Sequence, residues 1–206
     1  MIFRHRANTS ENLKKISKDF GVEIDLRSWG KDIILSHDPF TPGEKFVDWL
    51  KDYSHQGLIL NVKEDGLAPL IIKILEENGI ENYLFLDSTY PTIIKFVKSG
   101  FNKFFIRYSE YETIKNIEKL KGSSKWVWVD SFEGFSLEIN DYKKLKVLGF
   151  KICLVSPELA HKDLKEIQRF KAKIFENSLK IDAICTKFPH MWSNLFAEKE
   201  NKYAFH

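Results

Sequence analysis

The stretch M-I-F-R-H-R-A-N-T-S-E-N-L-K-K-I-S-K-D-F-G-V-E-I-D-L-R-S-W-G-K-D-I-I-L-S-H-D, residues 1–38, decides how the chain is read. It opens on a short apolar run at 2–6 that reads as a strand. Leu13, Ile16 and Phe20 then share one face of a helix, with Ser10 as its expected cap and Gly21 as its stop. A second apolar run at 22–27 turns at Ser28-Trp29-Gly30-Lys31-Asp32 and returns through 33–37. Strand, helix, strand is the opening of a parallel βαβ unit.

The same alternation continues to the other end. Further strands are expected at 58–63, 83–87, 104–107, 126–130, 151–155 and 183–186. Most are short and almost wholly apolar, as parallel strands covered on both faces are. Thr41-Pro42 is expected to open the next helix, which carries Phe46, Leu50 and Tyr53 and stops at Gly57. Leu70, Ile71, Ile74 and Leu75 mark a third helix, and Ile93, Ile94 and Val97 a fourth. Ser109-Glu-Tyr-Glu112 has the form of a capping box ahead of Ile114, Ile117 and Leu120. Leu145 and Leu148, then Leu164, Ile167 and Phe170, mark two more helices, and a last short one is expected at 192–196.

Eight strand–helix units in 206 residues is a lean but sufficient allotment for a (βα)8 barrel. The expected fold is therefore α/β, a compact TIM barrel forming a single domain over 1–206. A doubly wound open sheet is the alternative. It would carry a glycine-rich turn after the first strand, whereas this chain has His-Arg-Ala-Asn-Thr-Ser there.

Composition narrows the function. The chain is 43% hydrophobic and 30% charged, with a net charge of +3. That suits a globular protein and is too balanced for a nucleic-acid binder. There is no apolar run long enough to span a membrane and no signal-peptide core. Cys153 and Cys185 sit in apolar runs and read as reduced core thiols, so a cytoplasmic location is expected.

The chemistry lies at strand ends, where barrels keep their active sites. His5 and Arg6 end the first strand. Glu23 and Asp25 alternate on the second, so both carboxylates face one way. Two such acids call for a hard divalent cation with oxygen ligands. His37-Asp38 follows the return strand. Asn61 and Lys63 end the third strand, again on one side. Asp87, Asp130, Glu133 and Glu158 fall near later strand ends, either lining the same pocket or simply solvated. Trp126 and Trp128 read as packing against helices, Phe132 and Phe135 as a lip, and Arg27 as either a structural ion pair or a site residue. His55, His161, His190 and His206 read as surface or terminal residues.

This constellation resembles the glycerophosphodiester phosphodiesterase family and, more distantly, the phosphatidylinositol-specific phospholipase C superfamily around it. The resemblance is carried by His5-Arg6, the helix start Glu11-Asn12, Glu23-Ile-Asp25 and His37-Asp38, in that order. The family's strand-three Glu-x-Lys is matched at the lysine only, in Asn61-Val-Lys63. The last-strand pattern appears as Asp182-Ala-Ile-Cys-Thr-Lys-Phe-Pro189, with Lys187 where the family has Asp. The substrate-pocket insertion that bacterial enzymes carry after His-Asp is absent, because Asp38 runs almost directly into a helix expected at 44–53.

The resemblance implies a metal-dependent phosphodiesterase acting on a glycerophosphodiester or related small or lipid-headgroup phosphodiester. It implies Mg²⁺ or Ca²⁺ held by Glu23, Asp25 and Asn61. His5 and His37 would share general acid and base roles, and Arg6 and Lys63 would clamp the phosphate. A degenerate barrel that only binds a phosphorylated ligand, or a phospholyase using the same groups, are the competing readings.

Overall fold

The computed structural model describes residues 1–196, so His206 lies outside the described residues. Among the described residues two compact units emerge: one holds Phe3–Ser99, the other Met1–Ile2 with residues 100–196.

In the first unit the elements run β1 (Ile2–Arg4), α1 (Ser10–Lys14), β2 (Gly21–Trp29), β3 (Asp32–Leu35), β4 (Glu44–Lys45), α2 (Phe46–Trp49), β5 (Leu58–Val62), α3 (Ala68–Glu77), β6 (Tyr83–Leu86) and α4 (Tyr90–Ser99). Strand β2 lies parallel to both β1 and β5, and β5 parallel to β6. The buried core explains the apolar runs: Val22, Ile24, Leu26, Leu58, Ile59 and Leu60 are fully covered. Each side chain of this size contributes roughly 1.5–3 kcal/mol on burial.

Strand β2 is longer than its parallel neighbours, and this positions the site. Its last three residues run past the parallel sheet, and Leu26–Trp29 pair antiparallel with β3, Trp29 opposite Asp32. Gly30, with φ of +63°, makes the turn between them. The hairpin folds back so that Ser36 N–H donates to the Asp25 backbone carbonyl at 3.1 Å.

The second helix starts later than the Thr41-Pro42 signal suggests. Glu44 and Lys45 form β4 against Leu35 and Ile34, so α2 begins at Phe46. The same pairing moves the α1 cap. Ser10 gives both its N–H and its hydroxyl to the Glu44 carboxylate, and Thr9 caps the helix by accepting Asn12 N–H at 3.1 Å. Gly43 makes this possible, because a Cβ there would overlap the Leu35 carbonyl. Gly43→Ala is expected to destabilise the protein by about 1–3 kcal/mol, as overpacking does, read from chemical denaturation midpoints. An unchanged midpoint would mean that β4 shifts freely.

The second unit repeats the parallel pattern with β7 (Phe105–Tyr108), α5 (Ile114–Glu118), β8 (Trp126–Val129), α6 (Ile139–Val147), β9 (Lys151–Val155), α7 (Lys165–Glu176) and β10 (Ala183–Thr186), each strand paired to the next. Trp126 and Trp128 are buried, both edge-on to Phe105 at 5.9 and 5.3 Å, which matches a packing role. Cys153 and Cys185 are buried free thiols. Ser109–Glu112 is a closed turn and caps nothing: the Ser109 hydroxyl bonds Glu112 at 2.8 Å, and α5 starts after Thr113. The expected terminal helix is two short 3₁₀ turns, Pro189–Met191 and Ser193–Leu195. The whole is a mixed α/β fold. No helix among the described residues is long and apolar enough to cross a membrane.

Candidate active site

Strand β1 ends at Arg4, short of the histidine. The chain then peels away through Arg6, whose φ of +54° is left-handed and strained for a residue with a side chain. The turn is held by the second strand. Arg6 N–H donates to Glu23 Oε2 at 2.8 Å, and Ala7 N–H donates to Glu23 O at 2.8 Å. Asn8 closes the zipper: its Nδ2 donates to Asp25 Oδ2 at 2.8 Å and its Oδ1 accepts Asp25 N–H at 2.9 Å. The side-chain amide thereby stands in for a peptide group and prolongs the ladder past the end of β1. Trp49 Nε1 donates to Ala7 O at 2.9 Å and fixes the segment from behind.

The alternation of β2 does what its spacing promised. Glu23 and Asp25 are both buried and their charges act on each other. His5 Nε2 lies 3.7 Å from Glu23 Oε2, with 14% of its side chain exposed. Asp25 is the better compensated acid. Lys63 Nζ is 3.1 Å from its Oδ1, and Arg6 Nε is 3.6 Å from its Oδ2. Glu23 fares worse. Burial, and then the Asp25 charge, push its carboxyl up to about 8, against smaller lowering effects from the Arg6 N–H, the Asn61 amide and Lys63.

Asn61 Nδ2 donates to Glu23 Oε1 at 3.1 Å, so its Oδ1 is a buried acceptor with no hydrogen bond. Among the described residues no group of three or more His, Cys, Asp or Glu side chains is arranged to hold a metal. The donors on offer are two carboxylates and an amide oxygen instead. An under-compensated buried carboxylate beside an orphan amide oxygen fits a hard, oxygen-seeking cation.

His37 stands apart from this contact network. Its ring Nδ1 is 2.7 Å from Asp38 Oδ1, and 38% of its side chain is exposed. Arg27 holds it in place by donating to His37 O through Nε at 3.2 Å and NH2 at 3.1 Å, while pairing with Glu64 at 3.6 Å. Arg27 is therefore a buttress of the loop. The Asp38 carboxyl is held low, first by its bond to His37 and more weakly by Arg6 and Arg27, which places the loop within reach of Arg6.

Sequence reasoning missed Asn8. Its one signal is being a short amide-bearing residue three positions after His5, which alone is little. Glu11 is exposed and pairs with Lys15 at 2.6 Å, so the Glu-Asn likeness contributes nothing to this site. In the second unit, Asp130 and Glu158 are buried structural acids. Asp130 meets Arg107 at 3.3 Å and Trp128 Nε1 at 3.2 Å, and Glu158 accepts from Ser156, Thr186 and Lys187 N–H. Glu133 is exposed and accepts from Tyr111, and Phe135 packs edge-on against Phe170 at 5.1 Å.

No family model matches the chain. In sequence it is similar to aspartate–tRNA(Asp/Asn) ligases of Helicobacter pylori. It is 29% identical to that of strain HPAG1 over 146 residues, covering 68% of this chain and 25% of the relative. It is 27% identical to that of strain Shi470 over 157 residues, 74% of this chain and 26% of the relative. The chain thus spans about a quarter of the length of the curated relatives it matches. In structure it is similar to proteins assigned as glycerophosphoryl diester phosphodiesterases. One from Agrobacterium tumefaciens aligns with a TM-score of 0.71 at 14% identity, over 96% of this chain and 97% of that one. One from Galdieria sulphuraria gives 0.72 at 13%, over 95% and 97%. One from Parabacteroides distasonis gives 0.65 at 12%, over 99% and 88%. The fold of this chain is the fold of those three phosphodiesterase-assigned structures.

Proposed function

We propose that the protein is a metal-dependent phosphodiesterase that cleaves a glycerophosphodiester or a related small phosphodiester, on a closed (βα)8 barrel. The observation that carries the reading is the buried Glu23–Asp25 pair, with His5 3.7 Å from Glu23 and Lys63 3.1 Å from Asp25. The likeness in fold to phosphodiesterase-assigned structures supports it.

Glu23, Asp25 and Asn61 Oδ1 would hold Mg²⁺ or Ca²⁺, which supplies charge neutralisation at a phosphoryl oxygen. The protein's own groups do the rest. Lys63 and Arg6 bind the remaining phosphate oxygens and hold phosphorus in reach of the histidines. Asp38 fixes His37 with its Nδ1 side toward the carboxylate, leaving Nε2 to accept a proton. His37 then removes the proton from the attacking hydroxyl, of water or of the substrate itself, as its oxygen forms the new P–O bond. His5 would act as the general acid, giving a proton to the departing alcohol oxygen as the old P–O bond breaks. The two histidines end in exchanged protonation states and are restored through solvent.

The test is hydrolysis of bis(p-nitrophenyl) phosphate and glycerol phosphodiesters with Mg²⁺ or Ca²⁺, against a chelator. Turnover is expected with cation, with loss in chelator and a fall of about a hundredfold or more in His37→Ala. Binding of phosphate esters without turnover on the whole panel would instead support a non-catalytic barrel. A cyclic or dehydrated product would indicate a lyase.

A further inference from the structure

Beside Lys63 the structure encloses a second space. A cavity of about 210 Å³ lies at the C-terminal ends of β5 and β6, bounded by the loops that follow them. Lys63 belongs to both places: it lines the cavity, and its Nζ lies 3.1 Å from Asp25 and 3.9 Å from Asp87. A phosphate held by Lys63 would therefore have the cavity as its next neighbour along the substrate.

The lining has a definite hydrogen-bonding sense. Asp65 and Asp87 offer only acceptors. Thr89 donates its hydroxyl proton to Asp65 at 2.9 Å, and Thr92 donates to the same carboxylate at 3.0 Å. Both hydroxyl protons are thus committed, and what those side chains leave to a ligand is oxygen lone pairs. Asp65 also sits at the N-terminal end of α4, where its charge offsets the helix dipole. Glu64, Asp65 and Asp87 outnumber Lys63 in the lining, so the wall leans negative and is rich in acceptors, with the Ser88 hydroxyl able to donate or accept. Phe85 is its single aromatic residue. Quaternary ammonium groups are recognised by aromatic cages, and one ring does not make one. The space is large enough to take a two- or three-carbon alcohol.

We propose that this cavity is the subsite for one alcohol of the phosphodiester, and that it selects a small alcohol ending in a primary ammonium over its trimethylated equivalent. The two carry the same charge, and only the first brings N–H donors to the acceptors of Asp65, Asp87 and Thr92. The proposal rests on the reading of Glu23, Asp25 and Lys63 as the phosphate centre.

Calorimetric titration of phosphoethanolamine and phosphocholine into the whole protein tests it. The wild type is expected to bind phosphoethanolamine at least tenfold more tightly. The ratio should fall towards one in Asp65→Asn, and Thr92→Ser, which keeps the hydroxyl, should preserve it. Equal affinity, a preference for phosphocholine, no binding of either, or a ratio untouched in a folded Asp65→Asn protein would each overturn the subsite. A hydrolysis arm separates it from the parent reading. Equal turnover of ethanolamine and choline glycerophosphodiesters would sink the subsite and leave the phosphodiesterase standing. Selective binding of phosphoethanolamine with no turnover of any diester would keep the subsite and remove the phosphodiesterase.

Discussion

Glu23→Gln is expected to leave a protein that is more stable at pH 8 than the wild type and about a thousandfold slower. Both halves come from one buried carboxylate. Its folded pKa of about 8 stands well above the ordinary value of 4.5. A group shifted upward in this way gives its stabilisation in full below the unfolded pKa. That stabilisation is lost as pH rises through the folded value. In chelator, the wild type should therefore lose melting temperature between about pH 5 and 8 and change little above that from this cause. The Glu23→Gln variant would have no proton to lose here, keep the Arg6 N–H at its amide oxygen, turn its NH2 towards Asn61, whose amide can flip to accept it, and flatten that slope. The cost of ionising so buried an acid is of the order of a few kcal/mol, a large share of a typical domain's stability. A divalent cation should raise the wild-type melting temperature more at pH 8 than at pH 5, because it binds the ionised form. The activity loss follows from removing a charged metal donor, worth several kcal/mol in the transition state. Thermal melts across pH, with and without chelator, decide the matter. A wild-type curve as flat as that of the variant would mean that Glu23 is compensated by something other than a cation.

Asn61→Asp should act in the opposite sense. It would supply a third carboxylate where the family resemblance has an acid, at a position now filled by an amide. Metal affinity scales with the number of charged ligands, so cation binding should tighten by about tenfold or more. Without cation the same change harms the protein. Glu23 Oε1 would lose the donor now at 3.1 Å and gain a like charge beside it. About 1–3 kcal/mol of stability should disappear in chelator and return with Mg²⁺ or Ca²⁺. Titration of cation followed by calorimetry, together with denaturation in its presence and absence, measures both. Unchanged affinity would place Asn61 outside the metal's ligands and make its orphan oxygen a matter of packing.

The parallel strands were legible because burial on both faces leaves almost no choice of residue, as in Leu58-Ile-Leu60 or Trp126-Val-Trp128. The direction of Glu23 and Asp25 followed from the two-residue repeat alone. Boundaries were less legible wherever two signals competed for one residue. Ser10 has the chemistry of a cap, yet Glu44, 34 positions away, claims its hydroxyl, and Thr9 takes over the role. Ser109 and Glu112 have the right spacing for a capping box, and they satisfy each other without a helix to cap. Asn8 escaped notice because its role depends on where β1 ends and how Arg6 turns, neither of which is written in local sequence. Likewise the tether of the His37 loop, Arg27 donating to the His37 carbonyl ten positions on, spans the hairpin and has no local signal.

The left-handed turn at Arg6 has a further consequence for anyone who tries to improve this protein. Glycine would relieve the backbone at that position, and asparagine would come close, at a gain of the order of 1 kcal/mol. Either would delete a guanidinium that stands 3.6 Å from Asp25. A library sorted for thermal resistance alone should therefore enrich substitutions at Arg6 and discard catalysts. One sorted for turnover should hold arginine there and recover its thermal resistance at distant sites.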